Sequence, residues 1–163
     1  MILECVHNTN VRTFLFDILF IVMETTIIPK KDFADHSLLC RLLELHQIPE
    51  VIHIKGNLPE VTIDLYGRAT PRLLTVVGSR KNTAYGRQVL EMLLTSLKNQ
   101  DVIIISGLAF GIDSLAHHNA LKNNLITIAV PGSGLDDKVL YPSAHKNLAQ
   151  DILEKKGALI SEL

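Results

Sequence analysis

From about residue 73 onward, runs of apolar residues alternate with amphipathic segments. Each apolar run has the length and composition of a buried strand, and each segment between two runs repeats its apolar residues with a helical period. Strands are predicted at Leu73–Val77, Val102–Ile105, Leu125–Val130 and Ala158–Ile160, and helices at Tyr85–Lys98, Ile112–Lys122 and Ser143–Lys155. Strands that alternate with helices of about 10–15 residues form parallel sheets with right-handed crossovers. The pattern therefore predicts an α/β fold with a parallel sheet and flanking helices.

The N-terminal part of the chain has a different pattern. Its most apolar segment, Phe14–Met23, is predicted to be a buried helix, because it is too short to span a bilayer and Asp17 interrupts it. A weak membrane anchor is the alternative interpretation of the same segment. The segment has neither the strongly basic start nor the small-residue cleavage site of a signal peptide.

A second helix is predicted at Leu38–His46, where leucines crowd one face. A short strand, Val51–Ile54, follows it. We therefore divide the chain into an unassigned helical segment, residues 1–47, and an α/β domain, residues 48–163.

The net charge of the chain is −1, but positive charge is concentrated around the first strand of the α/β pattern. Residues 66–100 contain one acidic side chain, Glu91, and six basic ones, Arg68, Arg72, Arg80, Lys81, Arg87 and Lys98. A local basic patch, rather than the overall charge, marks a surface that binds a polyanion. The alternative is a solvated basic helix face without a partner. Tryptophan is absent and aromatic residues make up 5% of the chain, so a long aromatic platform for stacking bases is not expected.

Candidate residues for catalysis, for a metal or for a cofactor are scarce. The two cysteines, Cys5 and Cys40, have no metal-binding spacing, and we predict that both are reduced, as in a cytoplasmic protein. The chain has neither a Walker lysine motif nor the GxGxxG spacing after its first predicted strand. The adjacent His117 and His118 point to different helix faces, and His117 is predicted to be a packing or helix-capping residue rather than a metal ligand. No catalytic residue, metal or cofactor is therefore predicted.

Three predicted strands end in turns that contain glycine. These turns are Gly78-Ser-Arg80, Ser106–Asp113 and Pro131–Asp137. The carboxyl ends of parallel strands meet along one edge of a sheet, and the free N–H groups of the helices that follow are suited to phosphate. We therefore expect one phosphate-binding crevice, with Arg80 as a cation in it. Asp113 is expected to cap the helix that it begins or, alternatively, to accept a hydrogen bond from a bound sugar or base.

Together, these turns and their order resemble the DNA-processing protein A family (DprA, also called Smf), bacterial mediators of recombination during natural transformation. The matching pieces are Val77-Gly-Ser-Arg80, Tyr85-Gly-Arg87, Ser106–Asp113, Ala116-His117, Ile128–Asp136 and Tyr141-Pro142 with Asn147. The resemblance covers roughly Ile48 to Leu163. It implies a Rossmann-like fold that binds single-stranded DNA in a basic pocket and loads the RecA recombinase, with a homodimer in the full-length family and no membrane partner.

The resemblance also implies which residues hold the DNA. Those expected in the DNA-phosphate pocket are Gly78, Ser79, Arg80, Ser106, Gly107 and Gly111, and those expected in the pocket wall are Asp113, Gly132 and Gly134. Family members continue beyond the position of Leu163 into further strands that carry basic pocket residues and dimerisation elements. The Rossmann-like sheet is therefore expected to be incomplete at its C-terminus.

The alternative function is an enzyme of the lysine-decarboxylase-like family, a phosphoribohydrolase that splits nucleoside monophosphates into free base and sugar phosphate. That family shares a Rossmann-like core and has the signature Pro-Gly-Gly-x-Gly-Thr with a catalytic glutamate close by. The corresponding loop here, Pro131-Gly-Ser-Gly-Leu-Asp136, lacks that threonine and glutamate. The DNA-binding interpretation is therefore preferred.

Overall fold

A computed structural model describes residues 24–163 of the chain. The predicted helix Phe14–Met23 and Cys5 lie outside the described residues. Within the described residues, no helix is both long enough and apolar enough to cross a membrane.

The described residues form two sheets and three α-helices. The strands are β1 Thr26–Pro29, β2 Val51–Gly56, β3 Thr62–Ile63, β4 Ala69–Thr70, β5 Arg72–Thr75, β6 Val102–Ser106, β7 Thr127–Ala129 and β8 Ala158–Ser161, and the helices are α1 Ala84–Ser96, α2 Ile112–Lys122 and α3 Lys146–Glu154. Each strand and helix of the predicted α/β pattern is present, and α2 has the predicted bounds. The predicted helix Ser143–Lys155 begins with a 3-10 turn, Ser143–His145, before α3.

The larger sheet has six strands in the order β1-β2-β8-β7-β6-β5. The four strands β5 to β8 are parallel, and each lies beside its neighbour in the sequence. Because every crossover runs in the same direction across the sheet, right-handed connections place all three helices on one face. In agreement, α1 packs against α2 and α2 packs against α3. The α/β prediction is confirmed, and the carboxyl ends of β5, β6 and β7 lie side by side.

The N-terminal strands join the same sheet with the opposite direction of pairing. Strand β2 is antiparallel to β8, with His53 opposite Ser161, and β1 is antiparallel to β2. The sequence predicted β2 but not its direction. The two short strands β3 and β4, which lie between β2 and β5 in the sequence, form a separate two-stranded hairpin.

The second face of the sheet is covered by residues that were predicted to form a separate helical segment. In place of the predicted helix Leu38–His46, the structure has a 3-10 helix, Leu39–Glu44. In a 3-10 helix the side chains at i and i+3 lie on one side, which lets Leu39 and Leu42 both pack on the sheet. Together with Phe33 they share one core with β2 and β8. The predicted boundary between residues 47 and 48 thus falls between elements of a common core.

Candidate phosphate-binding crevice

A cavity of about 270 Å³ lies where the three glycine turns meet, at the carboxyl ends of the parallel strands. Its lining residues are Arg80 from the first turn, Gly107, Ala109 and Phe110 from the second, Val130 directly before the third turn, Gly132 within it, and Tyr141 and Pro142 after it. We call this cavity the crevice. The crevice lies at the edge of the sheet where the sequence analysis predicted a phosphate-binding site. Arg80 is the one charged residue in its described lining.

The first turn presents Arg80 on a backbone that is held from both sides. The Ser79 hydroxyl accepts a hydrogen bond from the backbone N–H of Lys81 and donates one to its carbonyl, at 3.1 and 3.0 Å. The Ser79 carbonyl accepts the backbone N–H of Ile112, at 3.1 Å, which ties the turn to the start of α2. The Arg80 side chain is exposed, and within residues 24–163 it makes no ion pair. The Arg80 guanidinium is therefore available to bind an anion, whereas the Ser79 hydroxyl is already hydrogen-bonded to the backbone of Lys81.

The first and second turns touch through Gly111, the residue before α2. Gly111 has φ +84°, and a Cβ atom there would collide with the carbonyl oxygen of Ser79 and the backbone of Arg80. A side chain at this position would force the two turns apart. Gly111 therefore sets the distance between the first turn and the N-terminus of α2.

Ser106 lies beneath the crevice rather than in it. Its side chain is buried, and its hydroxyl donates a 2.7 Å hydrogen bond to the carbonyl oxygen of Val76. This bond joins the ends of β5 and β6. Ser106 is not among the described lining residues of the crevice, and its hydroxyl hydrogen is already directed to Val76.

Asp113 is also placed differently from the expectation. The N-cap of α2 is Gly111 and makes no side-chain capping bond, so the expectation that Asp113 caps the helix is wrong. Asp113 is in the first turn of α2, is 7% exposed and lies against Gly107, whose Cβ would come 2.7 Å from the Asp113 Oδ2 atom. A carboxylate in the first turn is favoured by the helix dipole. A side chain at position 107 would therefore displace the Asp113 carboxylate.

Of the two glycines of the third turn that were expected in the pocket wall, one lines the crevice. Gly132 lines the crevice. Gly134 instead lines a different cavity, with Ile27 and His53, and a Cβ there would meet the Val139 side chain at 2.8 Å. Gly134 therefore shapes the loop but does not lie in the crevice wall.

Two aromatic residues of the crevice were missed by the sequence analysis. Phe110 is 43% exposed and Tyr141 is 64% exposed, and both line the cavity with Arg80. The low aromatic content of the whole chain argued against a stacking surface, but content says nothing of where the few aromatic residues lie. The position of Phe110 between two glycines of the turn, Gly107 and Gly111, was the available signal.

The basic residues of positions 66–100 do not form one patch around the crevice. Arg68 is in the β3–β4 hairpin, where its Nε atom lies 2.9 Å from the carboxylate of Asp64. Arg72 begins β5 and is therefore at the opposite end of the strand from the crevice. Arg80 is the member of the predicted basic set that the structure places in the crevice lining.

His117 packs below the second turn as a neutral side chain. Its Nδ1 atom lies 2.7 Å from the Thr127 hydroxyl oxygen, and that hydroxyl donates to the Ile104 carbonyl at 3.0 Å. With its hydrogen directed to Ile104, the Thr127 hydroxyl can accept a hydrogen bond from His117 Nδ1. Burial, with a smaller contribution from the charge of His118, lowers the pKa of His117 to about 4. Residues 24–163 contain no group of three or more histidine, cysteine or acidic side chains that could hold a metal ion.

Comparison with known proteins gives a family and relatives of similar fold. Residues 24–163 match the family model of DNA recombination-mediator protein A. The chain is 36% identical over 151 residues to the DNA processing protein DprA of Streptococcus pneumoniae, which covers 93% of this chain and 49% of that protein. It is 45% identical over 89 residues to the Protein Smf of Escherichia coli, which covers 55% of this chain and 23% of that protein.

Two solved structures have the same arrangement of elements. The X-ray structure of DprA from Streptococcus pneumoniae has a TM-score of 0.66 and 34% identity, over 86% of this chain and 44% of that chain. A structure that describes the single-stranded DNA binding mode of DNA processing protein A from Helicobacter pylori has a TM-score of 0.61 and 26% identity, over 86% of this chain and 56% of that chain. The chain spans less than half the length of the curated relatives named above.

Proposed function

The chain belongs to the DNA recombination-mediator protein A family, and from this premise we propose that it binds single-stranded DNA through the crevice as part of a recombination mediator. The Helicobacter pylori relative is described as binding single-stranded DNA. The observation in this chain that carries the proposal is the exposed Arg80, the charged residue in the described lining of a crevice formed by three strand-to-helix turns. A guanidinium binds a phosphate through two parallel hydrogen bonds.

The other predicted residues have different roles in this proposal. Gly107 and Gly132 line the crevice without a side chain, so a phosphodiester can approach the backbone there. The close approach of Gly111 to the backbone of Ser79 and Arg80 fixes the position of the Arg80 backbone. Ser106 and Asp113 support the turns from below.

The partners of the whole protein are proposed from family membership. We propose that the bound strand is passed to the RecA recombinase and that the full-length protein acts as a homodimer. We also propose a cytoplasmic location, because bacterial DNA is handled there.

We propose a binding protein rather than an enzyme. The loop Pro131–Asp136, which corresponds to the phosphoribohydrolase signature, has neither its threonine nor the glutamate that would act in catalysis. The nucleotide-hydrolysing alternative is therefore not favoured.

The proposal is tested by titrating the chain into fluorescein-labelled oligothymidine and following the anisotropy. Log affinity should fall with log salt by about 0.7 for each phosphate contacted. Unlabelled single strands should compete better than a duplex of the same length, because the crevice has no helix placed to enter a major groove. An affinity that does not change with salt, or equal competition by the duplex, would contradict a phosphate-binding crevice for single strands.

A further inference from the structure

The face of the sheet opposite the α-helices carries an apolar cavity of about 270 Å³. Its floor is formed by one aliphatic side chain from each of the four parallel strands, Leu73, Ile105, Ile128 and Ile160. Its wall is formed by leucines of the 3-10 helix Leu39–Glu44 and of the residue before it. We call this cavity the apolar groove. An open apolar concavity of this kind is a site where another apolar group docks.

The β3–β4 hairpin presents apolar side chains to solvent on a turn that is held rigidly. Leu65 is fully exposed and Tyr66 is 82% exposed. The Asp64 carboxylate accepts the backbone N–H groups of Tyr66 and Arg68, at 2.8 and 2.9 Å, and pairs with the Arg68 Nε atom at 2.9 Å. The backbone N–H of Asp64 also donates to the Arg68 carbonyl, at 3.0 Å. The turn is therefore ordered before any partner arrives, which lowers the entropic cost of inserting Leu65 and Tyr66 into one.

The hairpin and the apolar groove lie side by side on the molecule. At the first end of the hairpin, the backbone N–H of Val61 donates to the Ser37 hydroxyl at 2.8 Å, and the next residue, Leu38, lines the groove. At its other end, the hairpin leads directly into β5, whose Leu73 is part of the groove floor. One surface thus carries both an apolar projection and an apolar concavity. Two copies related by a twofold axis can exchange such parts reciprocally.

The charges of the two parts are complementary. The hairpin turn carries Asp64 and Arg68, and the charged residues in the described lining of the groove are Arg41 and Glu162. Arg41 and Glu162 are exposed, and neither makes an ion pair within residues 24–163. A hairpin that enters the groove brings one anion and one cation to a rim that has one cation and one anion. Such complementarity favours this partner over a purely apolar segment.

We propose that the chain self-associates as a twofold dimer, in which the Leu65–Tyr66 turn of each copy inserts into the apolar groove of the other. Leu65 enters the groove, and the Tyr66 ring covers its rim with the hydroxyl group in water. Burial of these side chains is the driving force. The inference does not rest on DNA binding. It involves neither the crevice nor the segments beyond Leu163 in which the family resemblance places dimerisation elements.

Sedimentation equilibrium of the 163-residue chain over a range of concentrations tests the proposal. The average mass should rise from that of a monomer toward twice that value, because a contact of this size predicts a transient dimer. Leu65→Asp should raise the dimer Kd at least about 10-fold, the effect of losing a central apolar anchor. Met92→Asp is the matched control, since Met92 is 64% exposed on α1, on the other face of the sheet. It should leave the Kd unchanged.

Cross-linking between two variants shows which surfaces meet. In a chain whose Cys5 and Cys40 are replaced by serine, the variants Leu65→Cys and Glu162→Cys are mixed and mildly oxidised. Disulfide-linked dimers should form in this mixture, because the hairpin of one copy meets the groove rim of the other. Each variant alone should form far fewer, as should a mixture of Met92→Cys with Glu162→Cys.

Three results would overturn the dimer. The first is a monomer at every concentration, and the second is association that Leu65→Asp leaves unchanged, which would assign it to another surface such as the open edge of β5. The third is cross-linking of the Leu65 and Glu162 variants no faster than in the Met92 control. None of these results affects DNA binding by the crevice, and a failure of the chain to bind DNA leaves the dimer standing.

Discussion

A Cβ atom on Gly111 would collide with the carbonyl oxygen of Ser79, so no side chain fits between the two residues. The contact joins the loop after β5 to the start of α2. The same Ser79 carbonyl accepts the backbone N–H of Ile112. Two turns from different strands therefore form one rigid unit under Arg80.

Gly111→Ala should destabilise the protein by at least about 2 kcal/mol and weaken DNA binding, because the new methyl group meets backbone atoms and the backbone conformation is one that favours glycine. Gly67→Ala is the matched control: Gly67 also has a positive φ, but a Cβ there has open space around it. It should cost only the strain of the left-handed backbone conformation, about 1–2 kcal/mol, and less than Gly111→Ala, where the collision adds to that strain. Urea denaturation of both variants measures the difference, and equal losses would show that the contact with Ser79 is unimportant.

Arg80→Ala should weaken binding of single-stranded DNA about 10- to 150-fold, the loss expected for one charge-assisted hydrogen-bonding group. Arg72→Ala removes the same charge at the opposite end of β5 and should change the affinity less than about twofold, since a remote exposed charge is screened. Fluorescence anisotropy at several salt concentrations provides the comparison. Similar losses in the two variants would place the DNA elsewhere on the protein.

His117 should make the stability depend on pH. Its pKa is about 4 in the folded chain, below the ordinary value of about 6.5 in the unfolded chain. As the pH falls below about 6.5, His117 becomes protonated in the unfolded chain but stays neutral in the folded chain. The contribution of His117 to the free energy of unfolding is therefore fully present above about pH 6.5 and is lost between that pH and about pH 4. Between pH 7.5 and pH 5 the loss from this group should be about 2 kcal/mol.

The contribution of His117 is isolated by repeating the urea denaturation with His117→Gln and with His46→Gln. His46 is exposed and not in the core. The pH dependence should be reduced in the His117 variant and unchanged in the His46 variant. The same slope in all three proteins would mean that other groups control the acid sensitivity.

Ser106→Ala should lower the free energy of unfolding by about 1 kcal/mol, because it removes the hydrogen bond to the Val76 carbonyl and leaves that carbonyl without its partner. The slope of log affinity against log salt should stay the same, since the hydroxyl contacts no phosphate. Thermal melting and salt titration measure the two quantities. A salt slope smaller by about 0.7 would instead assign a phosphate contact to Ser106.

The elements of the α/β part were predictable because their signal is local. The buried strand Val102–Ser106 is an apolar run, and α2 begins after a glycine and ends before Asn123 and Asn124. The 3-10 helix Leu39–Glu44 was not predictable, since its leucines also fit an α-helix and only packing on the sheet decides between the two. The antiparallel direction of β2 likewise depends on β8, a strand that lies far away in the sequence.

The crevice was predictable in position but not in its side chains. That three turns would meet follows from parallel strands, and Arg80 follows β5 closely enough to lie there. Whether Ser106 faces the ligand or the sheet depends on the Val76 carbonyl, which no spacing reveals. Phe110 reaches the crevice because His145, from a segment 35 residues later, holds its turn; such a contact leaves no pattern in either segment.

The pairing of β2 with β8 has a consequence for synthesis of the chain. His53 pairs with Ser161, more than 100 residues later, whereas β5, β6 and β7 each pair with the strand that follows in the sequence. During translation, β1, β2 and the 3-10 helix that packs with them have no sheet to join until β8 leaves the ribosome, and contacts between distant residues form late. The apolar side chains of this region therefore stay exposed until β8 has been synthesised, and this is when proteases and chaperones have access to them.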